Sequence, residues 1–221
     1  MNFLLPSLFV MKNKKTIIFL VGFFIVLSAA FMTYYYSITK VKKPQLPYYG
    51  DGDHRVRGFS FTDQDGNLVT QKDVDGKVYV AEYFFATCQG ICPKMNENLN
   101  TVYRQFKGDD RVMFLSHTVD PEEDSASALK EYAKRFEADS HQWKFLTGDK
   151  QQLYNQARYS YLISAEDDTT GLSIDKDFIH DNHFVLVDGT GHIRGMYDGL
   201  QAQEMIRLAT DIKSLLGDNV R

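Results

Sequence analysis

Cysteine is nearly missing from this chain: Cys88 and Cys92 are the two that occur in 221 residues. A disulfide between them would close only three intervening residues, which removes little entropy from the unfolded chain and makes a poor structural staple. Proline is almost as scarce. Of the five, Pro6, Pro44, Pro47, Pro93 and Pro121, none lies near the apolar run at 184–187. Acidic residues are absent before Pro44, so all 29 fall beyond it together with 19 of the 25 basic ones, a net charge near −10 for that part. So acidic a surface is a poor nucleic-acid binder and is better suited to basic protein surfaces or to cations. There is no internal repeat. Asp188-Gly189-Thr190-Gly191 reads as a tight hairpin turn rather than a phosphate loop, because no helix follows it.

What the first 57 residues do contain is a long apolar run. From Thr16 to Tyr36 about twenty residues carry no charge, enough at 1.5 Å per residue to cross a hydrocarbon layer of about 30 Å. A signal peptide's apolar region is shorter, about 7 to 15 residues. Ser28-Ala29-Ala30 resembles a cleavage site, but the length favours an uncleaved anchor. Lys12, Lys14 and Lys15 precede the run and Lys40, Lys42 and Lys43 follow it, so charge asymmetry says little about orientation. The short tail ahead of the run favours a domain held outside, and Met11 before the lysines reads as an alternative start. The expected organisation is a tail over 1–15, a membrane anchor over 16–36, a linker over 37–57 containing Pro44, Pro47, Gly50 and Gly52, and one domain over 58–221.

Within that domain the apolar period alternates. Phe59-Ser60-Phe61-Thr62 and Leu68-Val69-Thr70 flank Asp65-Gly66-Asn67, a hairpin signal. Lys77 to Phe85 is rich in β-branched and aromatic residues and reads as a central strand, and Pro93 reads as the opening of a helix running to about Phe106. Val112 to Val119 is a second strand, followed by a helix from about Ser125 to Phe136. Trp143 to Leu146 is extended and Gln151 to Tyr159 helical. The polar, acidic stretch from Ser164 to Asp177 reads as a surface insertion. Phe184 to Val187 and His192 to Met196 form a hairpin, and Ala202 to Leu216 is a closing amphipathic helix. Strand, helix, strand, helix, hairpin, helix is the order of a thioredoxin-like α/β sheet with an added N-terminal β-hairpin. In such a sheet the first strand-to-helix turn lies at the carboxyl edge, where sites gather.

Cys88 and Cys92 occupy that turn, in Phe84-Phe85-Ala86-Thr87-Cys88-Gln89-Gly90-Ile91-Cys92-Pro93. Two sulfurs there suit a redox dithiol or two ligands for a soft metal. Residues i and i+4 on a helix have β-carbons about 5–6 Å apart, so the thiolates can converge on one ion, and a nearby helix N-terminus favours their anionic form. Thioredoxin-type redox enzymes instead place two residues between their cysteines and a cis-proline opposite them; this chain has neither. What precedes its later strand is Phe178-Ile179-His180-Asp181-Asn182-His183. An imidazole from this loop would complete a two-thiolate, one-imidazole site, which soft thiolates bias toward copper, especially Cu(I), while the nitrogen keeps it competent for Cu(II). Spacing alone does not choose between His180 and His183. Asp120 and His117 sit at the same sheet edge, where Asp120 would either orient a ligand or cap the turn into the next helix.

The chain resembles the Sco/SenC family of membrane-anchored copper proteins. The residues that carry the likeness are the ten from Phe84 to Pro93, then Val119-Asp120-Pro121-Glu122-Glu123-Asp124, then His180 with Phe184 to Gly195. Ile179 and Asp181 stand where the family often has an aspartate and a hydroxyl residue. The resemblance implies that Cys88, Cys92 and His180 bind copper, as Cu(I) or Cu(II), one ion per chain. It implies a metallochaperone, not clearly an enzyme, that delivers copper or reducing equivalents for the dinuclear copper centre of cytochrome c oxidase. The partner would be the copper-receiving oxidase subunit or another copper carrier. The setting would be a single-pass membrane protein with its domain on the outer, periplasmic or equivalent, face of the inner membrane. The alternative is a thiol–disulfide oxidoreductase in which Cys88 and Cys92 are the redox-active pair.

Overall fold

The computed structural model describes residues 13–39, 46–163 and 181–217, with the side chains of 37–39 left aside. The acidic stretch from Ser164 to Asp177 and His180 therefore lie outside the described residues.

Helix α1 (Lys14–Thr39) has 26 residues, about 39 Å at the usual rise. Its apolar window, Lys14–Tyr36, is long and apolar enough to cross a membrane by length and composition, and none of it is buried within the chain. This helix and the body from Leu46 onward are two separate compact units.

The second unit is a seven-stranded mixed sheet in the order β2-β1-β5-β4-β3-β6-β7. The N-terminal hairpin pairs β1 (Ser60–Asp63) with β2 (Leu68–Thr70), and β1 lies antiparallel to β5 (Trp143–Thr147). β5 runs parallel to β4 (Val112–Thr118), which runs parallel to β3 (Val78–Phe84). Beyond β3 come β6 (His183–Val187) and β7 (Ile193–Asp198), both antiparallel to their neighbours. All seven residues of β3 and of β4 are buried, the pattern of strands covered on both faces. One face carries α3 (Ile91–Phe106), α4 (Ala126–Lys134) and α6 (Ala202–Leu215), through Leu99, Val102, Leu129, Tyr132, Leu208 and Ile212. The other carries the short α2 (Gln71–Val74) and α5 (Lys150–Tyr159), through Val74, Leu153 and Ala157. Each fully buried large apolar side chain contributes about 1.5–3 kcal/mol.

Residues 46–57, read from the sequence as the tail of a linker, run against the β6–β7 hairpin as a strap. Arg194, 8% exposed, donates to Leu46 O at 2.7 Å, Pro47 O at 3.1 Å and Asp188 Oδ2 at 2.8 Å, and its guanidinium lies 4.1 Å from the Tyr48 ring centroid. Tyr49 N–H donates to Ile193 O and Val56 N–H to Gly191 O. His192 Nε2 meets Asp53 at 2.7 Å, and His54 Nε2 meets Ser160 O at 2.9 Å. Since β6 is antiparallel to β3, with Tyr79 opposite Val187, this strap grips the end of the sheet opposite the carboxyl end of β3.

Replacing Arg194 with alanine removes the ion pair to the partly buried Asp188, which keeps its bonds from Thr190 and His192, and leaves two strap carbonyls without their donor, so the unfolding free energy in urea should fall by about 2 kcal/mol. Two carboxyls, one buried and one partly buried, also set the acid limit. Burial opposes ionisation of Asp63, but the Lys144 ammonium at 2.9 Å and the N–H groups of Asn67 and Asp65 hold it below the usual carboxylate range. Asp188 is likewise opposed by burial yet held low by Thr190, Arg194 and backbone N–H groups. Both folded values lie below the unfolded ones, so this stability is fully present above about pH 4 and is lost as pH falls through the folded values. Acid titration of the circular dichroism signal should show Lys144→Met unfolding at higher pH than the wild type.

Candidate metal centre

β3 delivers the site. At its carboxyl end the chain leaves the sheet between two helical layers and turns, with Cys88 N–H donating to Phe85 O at 3.2 Å. Gly90 is the residue before α3, which starts at Ile91, so Cys92 falls in the first turn and Pro93 is the third helical residue. This corrects the sequence expectation that Pro93 opens the helix and that the two cysteines face each other across a helical turn. Cys88 precedes the helix, and the pair meets because the turn folds back. Proline is tolerated at this depth because first-turn N–H groups have no intrahelical acceptor.

The two sulfurs are unequal. Cys92 is 5% exposed, inside the face that holds Met95 and Phe84, whereas Cys88 is half-buried. Burial alone would raise the Cys88 thiol, but the hydrogen bond from Cys92 and the backbone N–H groups of Cys92, Gly90 and Ile91 bring it below the ordinary thiol range. These donors are the unpaired amides of the α3 N-terminus. Cys92 is pushed up to about 12, first by burial, then by its bond to Cys88. Around them Tyr83, Phe85, Cys88, Ile91, Cys92 and Asp181 line a cavity of about 380 Å³. It is mostly apolar, with the sulfurs, Gln89 and the Asp181 carboxylate among its lining groups.

Sequence reading passed over two carboxyls behind the cysteines. Glu82 is fully buried on β3, accepts from Ser116 Oγ at 2.5 Å, and Ser116 in turn accepts from Trp143 Nε1 at 2.9 Å. Burial pushes its pKa up to about 8 against the pull of Ser116, so it is mostly protonated at neutral pH. Among the described residues its second oxygen, Oε2, has no hydrogen-bond partner. The signal was a single acid in an otherwise apolar strand. Asp124 is 1% exposed, and its Oδ2 accepts from Ala86 N–H at 3.0 Å and Thr118 Oγ1 at 2.6 Å. The signal there was a second aspartate four residues after Asp120.

Asp120 itself acts through its backbone: its carbonyl accepts from Asp124 N–H at 2.9 Å, and its own N–H donates to Thr118 Oγ1 at 2.9 Å. Ser125, not Asp120, caps α4 by accepting from Ala128 N–H. His117 lies on the sheet face opposite the cysteines, stacked on Tyr83 at 4.9 Å, and burial pushes it down to about 4, leaving it neutral. His183 is half exposed, its Nδ1 2.8 Å from Asp181 Oδ1. His180 lies outside the described residues, but its chain neighbour Asp181 lines the cysteine cavity. Among the described residues no group of three His, Cys, Asp or Glu side chains is arranged to hold a metal.

Comparison with known proteins gives this geometry a setting. The SCO1/SenC family model matches residues 49–217. The chain belongs to the SCO1/SenC family. It is 28% identical over 163 residues, 73% of this chain and 83% of the relative, to the SCO1 protein homolog of Bacillus subtilis. The structure of BsSco, described as a member of the Sco family of cytochrome c oxidase assembly proteins with a disulfide switch, aligns with TM-score 0.61 and 27% identity over 73% of this chain and 93% of that one. Bradyrhizobium japonicum ScoI, solved with copper bound, shares the fold with TM-score 0.57 and 24% identity over 73% of this chain and 99% of that one. The thioredoxin-like architecture expected from the element order is therefore the one the chain adopts.

The inequality of the sulfurs predicts their reactivity. In the reduced protein at neutral pH, iodoacetamide should modify Cys88 first. Cys92 in a Cys88→Ser variant should react at least about tenfold more slowly than Cys88 in Cys92→Ser, because burial alone keeps its thiolate scarce. Mass spectrometry over time would read both rates.

Proposed function

We propose that this protein is a membrane-anchored copper chaperone that hands its ion to the dinuclear copper centre of cytochrome c oxidase, either directly to the receiving subunit or through another copper carrier. The observation that carries the reading is the pair of touching sulfurs, one half-exposed and one buried, in the wall of a single apolar cavity. Two thiolates in such a cavity favour a soft ion and exclude water from it. Copper is cargo here, one ion per chain, held by Cys88 and Cys92 with the His180 imidazole as third donor. Support for His180 comes from sheet register: β6 pairs with β3 through Ala81 and Val185, which brings the chain before β6 to the carboxyl end of β3, and Asp181 already lines the cavity. The long apolar helix α1 would be a single uncleaved span, with the domain on the outer face of the inner membrane.

A second reading has an observation of its own. The contact between a Cys88 thiol held low and the Cys92 sulfur is what a dithiol needs to reduce a partner's disulfide: the Cys88 thiolate attacks, and Cys92 then displaces the partner from the mixed disulfide. The two readings share the same sulfurs and differ on His180.

Anaerobic titration of the reduced protein should show about one copper bound per chain. Cys88→Ala and Cys92→Ala should each abolish tight binding, and His180→Ala should weaken the Cu(II) form more than the Cu(I) form. Unchanged copper affinity after both Cys88→Ala and His180→Ala removes the chaperone reading, and disulfide exchange that survives His180→Ala but is lost in Cys88→Ala would put the dithiol reading in its place.

A further inference from the structure

The turn that carries Cys88 is held from two sides. Between Phe84 and Ile91 the Cys88 N–H donates to Phe85 O, the Gly90 and Ile91 N–H groups reach the Cys88 sulfur, the Phe85 backbone bonds the Cys92 sulfur, and the root of the turn has two links to a different loop. Val119 N–H donates to Phe84 O at 2.9 Å, and Ala86 N–H donates to Asp124 Oδ2 at 3.0 Å. Both partners belong to the segment that follows β4. Within that segment the bonds run in series: Asp120 N–H to Thr118 Oγ1 at 2.9 Å, Thr118 Oγ1–H to Asp124 Oδ2 at 2.6 Å, and Asp124 N–H back to Asp120 O at 2.9 Å. Asp124 is thus a carboxylate sealed from water whose one oxygen ties a hydroxyl of its own loop to an amide of the cysteine loop.

We infer that Asp124 is a positioning residue for Cys88. It clamps the backbone two residues before the sulfur, so that Cys88 is held against Cys92, whose own place is fixed by the first turn of α3. The inference rests on the reading of Cys88 and Cys92 as the working pair. Cys92 needs no such clamp, since it is embedded in the helical face of the core. Cys88 sits in a turn outside the helix, where the amides of Gly90, Ile91 and Cys92 hold its sulfur from one side and the bond at Ala86 fixes the chain that leads to it from the other. A charged acceptor makes the stronger bond to an amide, and burial of Asp124 keeps water from replacing it. The consequence is a raised effective concentration of one sulfur at the other, which governs both a two-sulfur grip on an ion and closure of the pair to a disulfide.

The closing reaction gives a readout free of metal. Two thiols of the pair react with oxidised glutathione to give the intramolecular disulfide and two reduced glutathiones, so the equilibrium constant measures how well the sulfurs are held together. With the full chain in detergent, Asp124→Ala should make that disulfide about tenfold easier to reduce, which is about 30 mV for this two-electron couple. The same variant should weaken Cu(I) binding by about tenfold in competition with a chelator. Asp124→Asn, which keeps an acceptor oxygen in the same place, should recover most of both effects. Should Asp124→Ala fail to fold, Thr118→Val is the second variant: it keeps side-chain volume, removes the hydroxyl that steadies the carboxylate, and should shift the equilibrium about threefold in the same direction. Cooperative melting of each variant separates positioning from general loss of structure. A folded Asp124→Ala or Thr118→Val protein with wild-type disulfide equilibrium and wild-type Cu(I) affinity overturns the inference. A wild-type protein that binds no copper overturns the copper reading instead, and leaves the glutathione comparison standing as the test of Asp124.

Discussion

β3 is covered on both faces and paired along both edges, and that constraint shapes everything around the cysteines. A strand so enclosed has one way out at its carboxyl end, into the gap above β4, and the polar backbone groups released there need new partners. Phe84 O finds Val119 N–H, and Ala86 N–H finds Asp124. The turn is therefore written by the neighbouring strand's loop as much as by its own residues. The sulfurs come together because the sheet leaves the chain no other course.

The asymmetry of the pair follows from the same place. α3 starts late enough to leave Cys88 outside and early enough to take Cys92 into its first turn, so the unpaired amides of the helix start point at the outer sulfur while the inner one is surrounded by hydrocarbon and by the Glu82 carboxyl. One element, the N-terminus of a single helix, makes one thiol reactive and the other reluctant. On the metal-carrier reading, the thiol that gives up its proton more easily would be the first of the two to ligate.

Much of this could be read from residues alone. The hairpin at Asp65-Gly66-Asn67, the apolar run ending at Phe85, the helix after the cysteines and the closing hairpin at Asp188 all announce themselves through turn chemistry and period, and the structure has strands and helices at each. α3 starts two residues ahead of Pro93 because proline is acceptable at the third helical position as well as at the first, and only tertiary packing decides between them. Asp124 closes the Val119–Asp124 motif, but its role is not legible there, for a different reason. Its partner Ala86 is 38 residues away, and no local pattern distinguishes a carboxylate that accepts an amide across two loops from one that faces water. Glu82 shows the converse: its oddity was visible, a lone acid among Val80, Ala81, Tyr83 and Phe84, but its bond to Ser116 depends on the parallel register of two strands.

The clamp of Arg194 on Leu46, Pro47 and Tyr48 has a mechanical consequence. Any load carried by the chain before Leu46 enters the body at the β6–β7 turn and is taken up there by a guanidinium, a carboxylate and an aromatic ring. The cysteine loop stands at the far end of the same sheet, a strand's length of about 23 Å away at 3.3 Å per residue. Strain applied through Leu46 to Tyr48 would load these hairpin contacts first, with the sulfurs at the opposite end of the strand.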